Sequence, residues 1–170
     1  EIYKGELFDK NGVLQGTYSN KVFKLKKRLF RYFITVGNEG MVLSSPDGKN
    51  WTKINKKKSN YLRDVSYGDE IFVMVGYDGT ILLKELDSNY IFKIDSGESN
   101  YLRGVTYGNG IFVVVGRKGT ILVSEKGESW EKINSGTENY LKKVLFHDGL
   151  FIIVGEEGSV LSSTDGKVWG

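Results

Sequence analysis

The chain has 170 residues, 39% of them hydrophobic and 26% charged, a balance that suits one globular domain with a real core and argues against disorder. Its formal net charge is +3 with both signs interspersed, which argues against the concentrated basic face of a nucleic-acid binder. The absence of cysteine excludes disulfides, zinc–thiolate sites and thiol catalysis; no apolar run approaches the roughly 18 residues of a membrane-spanning helix, so no membrane insertion is expected.

Residues 1–21 read as a hairpin, "YKGELF", then "DKNG", then "VLQGTYS", or as a strand that closes something built later in the chain. A start at Glu1 is compatible with a piece cut from a longer protein. The basic stretches "KLKKR" (24–28) and "KINKKK" (53–58) read as solvated strand ends or loops. From residue 22 the chain repeats itself. "YFITVGNEGMVLSS" (32–45) returns as "IFVMVGYDGTILLK" (71–84), "IFVVVGRKGTILVS" (111–124) and "LFIIVGEEGSVLSS" (150–163). Gly37, Gly76, Gly116 and Gly155 step by 39, 40 and 39 residues, and so do Trp51, Tyr90, Trp130 and Trp169. A third marker in the same register is "NYLRDV" (60–65), "NYLRGV" (100–105) and "NYLKKV" (139–144). The repeats are therefore about 22–59, 60–99, 100–138 and 139–170.

Each repeat predicts four short strands. The first, as in "LRDVSY", ends in a Gly/Asn/Asp hairpin signal such as "GNG" or "HDG", where positive φ costs little. The second, "FVMVG" or "FVVVG", is apolar at every position, which predicts a sheet covered on both faces. A Gly-x-x-Gly turn leads to the third, and a polar turn to the fourth with its large aromatic. Four antiparallel strands every 40 residues or so, in covered sheets, predict an all-β fold, a β-propeller of four-stranded blades with about four repeats in this chain. The first repeat is worn, "VFKLKKRLFRYF" (22–33) standing where its first strand and glycine turn belong. Closure then comes from a shared N-terminal strand, from a homodimer that completes the ring, or from blades beyond this sequence.

"SSPDGKNW" (44–51) and "SSTDGKVW" (162–169) carry S-x-D-x-G-x-x-W, at Ser45, Asp47, Gly48 and Trp51 and at Ser163, Asp165, Gly166 and Trp169. This motif resembles the Asp-box of sialidase-type (BNR) propellers. The longer pattern is similar to repeats of the photosystem II stability and assembly factor type, found also in bacterial surface proteins. The resemblance covers about residues 22–170. It implies that the Asp-box fastens a hairpin, and it favours an extracytoplasmic or cell-surface setting that the residues themselves leave open. Two repeats lack the box: Lys126 stands at the Asp47 position, and Asp87 falls one place late. A motif that decays in half its copies is expected to be structural.

A search for chemistry finds no catalytic residues. Sialidase action would need three arginines, a Tyr–Glu nucleophile pair and an acid Asp. The family's Arg-Ile-Pro start is absent, since the one proline is Pro46, and the arginines are only Arg28, Arg31, Arg63, Arg103 and Arg117. His147, the sole histidine, lies in the "HDG" turn where other repeats carry Tyr67 and Tyr107, and it lacks the partners a metal needs. No metal and no cofactor are expected, although Glu156 with Glu157 leaves a calcium ligand pair open. The constellation that invites a function is Arg63, Arg103 and Lys142, one repeat position on the first strand, which in a propeller lines the axis. Beside them stand Tyr61, Tyr101 and Tyr140. A cationic arc suits a carboxylate, a sulfated glycan or an acidic peptide, and a client-binding arginine patch is implied by the assembly-factor resemblance. The competing expectation pairs each cation with an acid such as Asp64 or Glu138 and places the tyrosines in the core. The chain thus reads as a non-catalytic binding or scaffolding module for a protein or anionic surface ligand. A carbohydrate-binding module, or an inactive fragment of a sialidase-like glycosidase, is the alternative.

Overall fold

Strands rich in Val, Ile and Phe, cut at short intervals by Gly, Asn and Asp, give an all-β chain. The computed structural model describes residues 33–55 and 60–170, together with the backbone of three N-terminal strands. These are β1 (Lys4–Phe8), β2 (Leu14–Ser19) and β3 (Val22–Leu25), paired in that order into an antiparallel sheet. Of the two basic stretches, residues 26–28 and 56–58 lie outside the described residues.

Four antiparallel sheets follow, one per repeat. The first holds β4 (Phe33–Val36), β5 (Val42–Ser45) and β6 (Thr52–Lys53), with a 3-10 turn at Asn38–Gly40. The second holds β7 (Leu62–Gly68), β8 (Ile71–Gly76), β9 (Ile81–Glu85) and β10 (Phe92–Ile94). The third holds β11 (Leu102–Gly108), β12 (Ile111–Gly116), β13 (Ile121–Ser124) and β14 (Glu131–Ile133). In the fourth are β15 (Leu141–His147), β16 (Leu150–Gly155) and β17 (Val160–Ser163). Strands pair in sequence order, so every connection within a sheet is a hairpin. The first hairpins turn on Asp69–Glu70, Asn109–Gly110 and Asp148–Gly149, all at positive φ, the two-residue geometry that matches strand twist.

The second strands explain how the sheets stack. On β12, Phe112 and Val114 pack with Val73, Val75 and Ile81 of the second sheet, while Val113 and Val115 pack with Leu141, Val144 and Ile153 of the fourth. On β8, Phe72 and Met74 meet Val42, Ile34 and Val36 of the first sheet. Side chains alternate between the two neighbours with the strand's period of two. An all-apolar strand is thus buried on both faces, each large side chain contributing about 1.5–3 kcal/mol.

The first strands of successive sheets are neighbours too, β11 lying between β7 and β15. Asp64 fastens all three. Its carboxylate accepts the Val65 N–H at 3.0 Å, the Val105 N–H on β11 at 3.1 Å and the Lys143 ammonium on β15 at 2.8 Å. Gly104 lies between them, and a Cβ there would press within 3.3 Å of Lys143. At the other strand end, a Cβ on Gly68 would enter the Tyr107 ring, and one on Gly108 would enter the Phe146 ring.

The strand register corrects the placement of His147. Tyr67, Tyr107 and Phe146 pair with Phe72, Phe112 and Phe151, so Phe146 is the aromatic counterpart. His147 pairs with Leu150 as Gly68 pairs with Ile71 and Gly108 with Ile111. It stands in a glycine's place, exposed, with its Nε2 3.3 Å from Asp148.

Candidate functional site

The candidate residues gather where the first strand begins and the Gly-x-x-Gly turn passes beside it. The turn residues Tyr77, Arg117 and Glu156 donate their backbone N–H to the carbonyls of Tyr61, Tyr101 and Tyr140, each at 2.9 Å. Gly76, Gly116 and Gly155 permit this approach, because a Cβ at any of them would run into the same tyrosine carbonyl. Asn60, Asn100 and Asn139 clamp the turn from the side through Thr80, Thr120 and Ser159, at 3.2, 3.3 and 2.9 Å. The turn of one sheet is also tied to the next: Gly79 donates to Asn100 and Gly119 to Asn139.

Arg63, Arg103 and Lys142 occupy a conformation that alternation does not provide. Leu62 pairs with Gly76 and Asp64 with Val75, leaving Arg63 as the extra residue of a β-bulge; Arg103 and Lys142 are extra in the same way. A bulge re-aims its side chain out of the pleat. Leu62, Leu102 and Leu141 next to them stay buried.

The result is a row of rings and cations along one edge of the stacked sheets. Tyr61 and Tyr77 have ring centroids 5.3 Å apart, Tyr77 and Tyr101 4.1 Å, and Tyr101 and Tyr140 5.8 Å. Arg63 lies 4.9 Å from the Tyr77 ring centroid and its Nη2 donates to the Tyr77 hydroxyl at 2.7 Å. Arg117 sits 5.4 Å from both the Tyr101 and Tyr140 rings. The Lys142 ammonium lies 5.8 Å from the Tyr140 ring and 3.0 Å from a Glu156 carboxylate oxygen. None of the three marker tyrosines joins a buried cluster among the described residues, and Tyr61 is exposed. Between Tyr77, Tyr101, Asn100, Arg117 and Lys118 opens a hollow of about 280 Å³.

Charge compensation is uneven. Asp64 pairs with Lys143 rather than with any cation of the arc. Lys142 has Glu156, whereas Arg63, Arg103 and Arg117 make no ion pair with the described residues. The hydroxyls respond to this environment. The Arg63 hydrogen bond, with help from the Tyr101 hydroxyl, draws Tyr77 below the ordinary phenol range. Burial, reinforced by the Tyr77 hydrogen bond, pushes Tyr101 up to about 12. The hydrogen bond to Tyr77 holds Arg63 more firmly protonated.

The two S-x-D-x-G-x-x-W turns lie elsewhere: residues 45–51 run from β5 to β6, and residues 163–169 follow β17. Asp47 accepts the Lys49 and Asn50 N–H groups at 2.8 Å each, and Ser45 accepts Gly48 N–H at 2.8 Å while donating to Asp47 at 2.9 Å. Asp165 and Ser163 repeat the pattern, and the Trp169 indole donates to the Gly166 carbonyl at 2.9 Å. Trp51 is exposed, whereas Trp130 and Trp169 pack against buried clusters. The backbone donors hold both carboxyls below the usual range. Where Asp is lost, parts persist: Ser124 still accepts Gly127 N–H at 2.8 Å and Trp130 still donates to the Gly127 carbonyl at 3.0 Å. In the second repeat a buried Lys84 replaces the serine. Its ammonium donates to the carbonyls of Glu85, Leu86 and Ser88, at 3.0, 3.3 and 2.7 Å.

Arg117 and Tyr77 are the members of the row that repeat reasoning passed over, because their position reads Tyr, Arg and Glu in successive repeats. No cluster of three or more His, Asp or Glu suited to a metal occurs among the described residues. No known family and no curated protein matches the chain. Among solved structures, the computationally designed Ika4 protein is similar, with a TM-score of 0.61 over 76% of this chain and 82% of that one. At 15% identity the likeness concerns the fold alone.

Proposed function

We propose that this chain is a binding or scaffolding β-propeller whose blades are the four repeat sheets, and that its ring-and-cation row recognises an acidic segment of a partner protein. The propeller reading is supported by sheets stacked face to face with their first strands adjacent and each second strand buried on both sides. The recognition reading rests on one observation: Arg63 and Arg117 are held against tyrosine rings without a carboxylate partner among the described residues. A guanidinium fixed on a ring face loses little rotamer freedom when a carboxylate arrives, and it presents a bidentate fork. Lys142 with Glu156 marks the end of the row where charge is already compensated.

The half-buried rings of Tyr77 and Tyr101 that line the 280 Å³ hollow favour a second reading, a carbohydrate site, since sugars stack on such rings. Titration calorimetry separates the two. An oligo-glutamate peptide is expected to bind with an affinity that falls as salt rises, and the pair R63E/R117E to weaken it at least tenfold, or about 1.4 kcal/mol. Binding of a neutral oligosaccharide but not of the peptide would favour the second reading. Peptide binding unaffected by R63E/R117E would exclude the row as the peptide's site.

A further inference from the structure

The two ends of the stack carry opposite halves of one joint. Within the chain the joint is made three times. The preceding sheet offers a second-strand pair and a third-strand residue, such as Val113, Val115 and Ile121, and the following sheet answers with Phe151, Ile153 and Leu161. On the fourth sheet the residues in register with the offering set are Ile152, Val154 and Val160, on the face away from the third sheet. Val113, Val115 and Ile121 are fully buried, whereas Val154 is 44% exposed and Val160 65% exposed. Leu145 on β15 adds 45% exposure to the same face. On the first sheet the residues in register with the answering set are Phe33, Thr35 and Leu43. Phe33 is 43% exposed while its counterparts Phe72, Phe112 and Phe151 are buried.

The Asp-box glycines tell the same story. A Cβ on Gly127 would touch Val73 and Leu83 of the sheet before it, and one on Gly166 would touch Ile111 and Val113. Gly48 has the same backbone twist, yet the nearest atoms a Cβ there would meet belong to Phe33 of its own sheet. Its missing neighbours are the counterparts of Ile111 and Val113, namely Leu150 and Ile152 of a fourth sheet.

We infer that the fourth sheet of one chain docks on the first sheet of a second copy, head to tail, through Ile152, Val154 and Val160 against Phe33 and Leu43. This adds a partner to the proposed propeller and depends on the sheet geometry, not on the ring-and-cation row. A head-to-tail contact made twice between two chains closes on itself when the rotation allows, and eight stacked sheets lie within the range of closed propellers.

The test is absolute mass by light scattering on the 170-residue chain, with V154K/V160K and F33E as variants. Wild type is expected at twice 19.1 kDa, and each variant at 19.1 kDa with cooperative unfolding retained. Mixing the two variants restores one intact joint and is expected to return dimer. A wild-type species of 19.1 kDa, or a dimer that survives V154K/V160K, overturns the inference; the R63E/R117E binding test is independent of either result.

Discussion

Asp64 ties the first strands of three sheets together, and D64A measures what that tie contributes. Its carboxylate joins three first strands from three sheets, accepting two backbone N–H groups and one ammonium. Hydrogen bonds to a charged group contribute about 1.5–3 kcal/mol each when desolvated. Val105 is buried, so its N–H is stranded in D64A; Val65 is half-buried and regains water. The Lys143 side chain is 55% exposed, which reduces that ion pair to about 0–1 kcal/mol. The expected loss is therefore about 2–4 kcal/mol, dominated by Val105, or a fall of about 5–15 °C in Tm for a chain of this size. D64N keeps one acceptor and is expected to lose about half as much, and a double-mutant cycle with K143M is expected to show coupling below about 1 kcal/mol. Urea unfolding followed by tryptophan fluorescence gives these differences. A D64A loss under about 0.5 kcal/mol, or a coupling to Lys143 that accounts for most of it, would mean that the Val105 hydrogen bond does not carry the stabilisation.

Other outcomes follow from the turns and the row. K84M leaves three carbonyls without their ammonium and is expected to lower stability by about 2–3 kcal/mol in the same urea assay. Glu70 holds φ 64 where the other hairpins have glycine, so E70G is expected to gain up to about 1 kcal/mol, read as a rise in Tm. Asp47 and Asp165 have lowered folded-state pKa values, so their stabilisation is present above the ordinary carboxylate range near pH 4 and fades as pH falls below it. D47N/D165N is expected to flatten the drop in Tm between about pH 4 and pH 2. Ultraviolet titration should find one tyrosine ionising below the ordinary phenol range and lost in Y77F, and one near 12 lost in Y101F.

Much of the fold is legible in the sequence because the repeat spaces its glycines and aromatics so regularly, and because an uninterrupted "FVVV" needs cover on both faces. The polar stitching is not. Asp64 sits where the next repeats carry Gly104 and Lys143, so its three partners follow from divergence between repeats, whereas the repeat markers report likeness. The bulges at Arg63, Arg103 and Lys142 are hidden for another reason, since an extra residue shows only against its partner's register. The Tyr and cation positions of the first strand could be read, while Arg117 could not, its place being Tyr77 and Glu156 in the flanking repeats. Lys84 is similar: a serine position taken by lysine looks like decay until the three carbonyls around its ammonium are seen. The sequence puts His147 one place off because "HDG" resembles the hairpin signals, and only the pairing with Leu150 fixes it.

The proposed recognition surface for carboxylates is made of Arg63, Arg117 and the tyrosine rings. Side-chain NMR reads it most directly, with the guanidinium and aromatic resonances followed as an oligo-glutamate peptide is added at low salt. Saturable shifts are expected at Arg63, Arg117, Tyr77 and Tyr101, fading towards Lys142 and abolished in R63E/R117E. Shifts confined to other surfaces, or unmoved resonances at peptide concentrations that saturate binding by calorimetry, would contradict it.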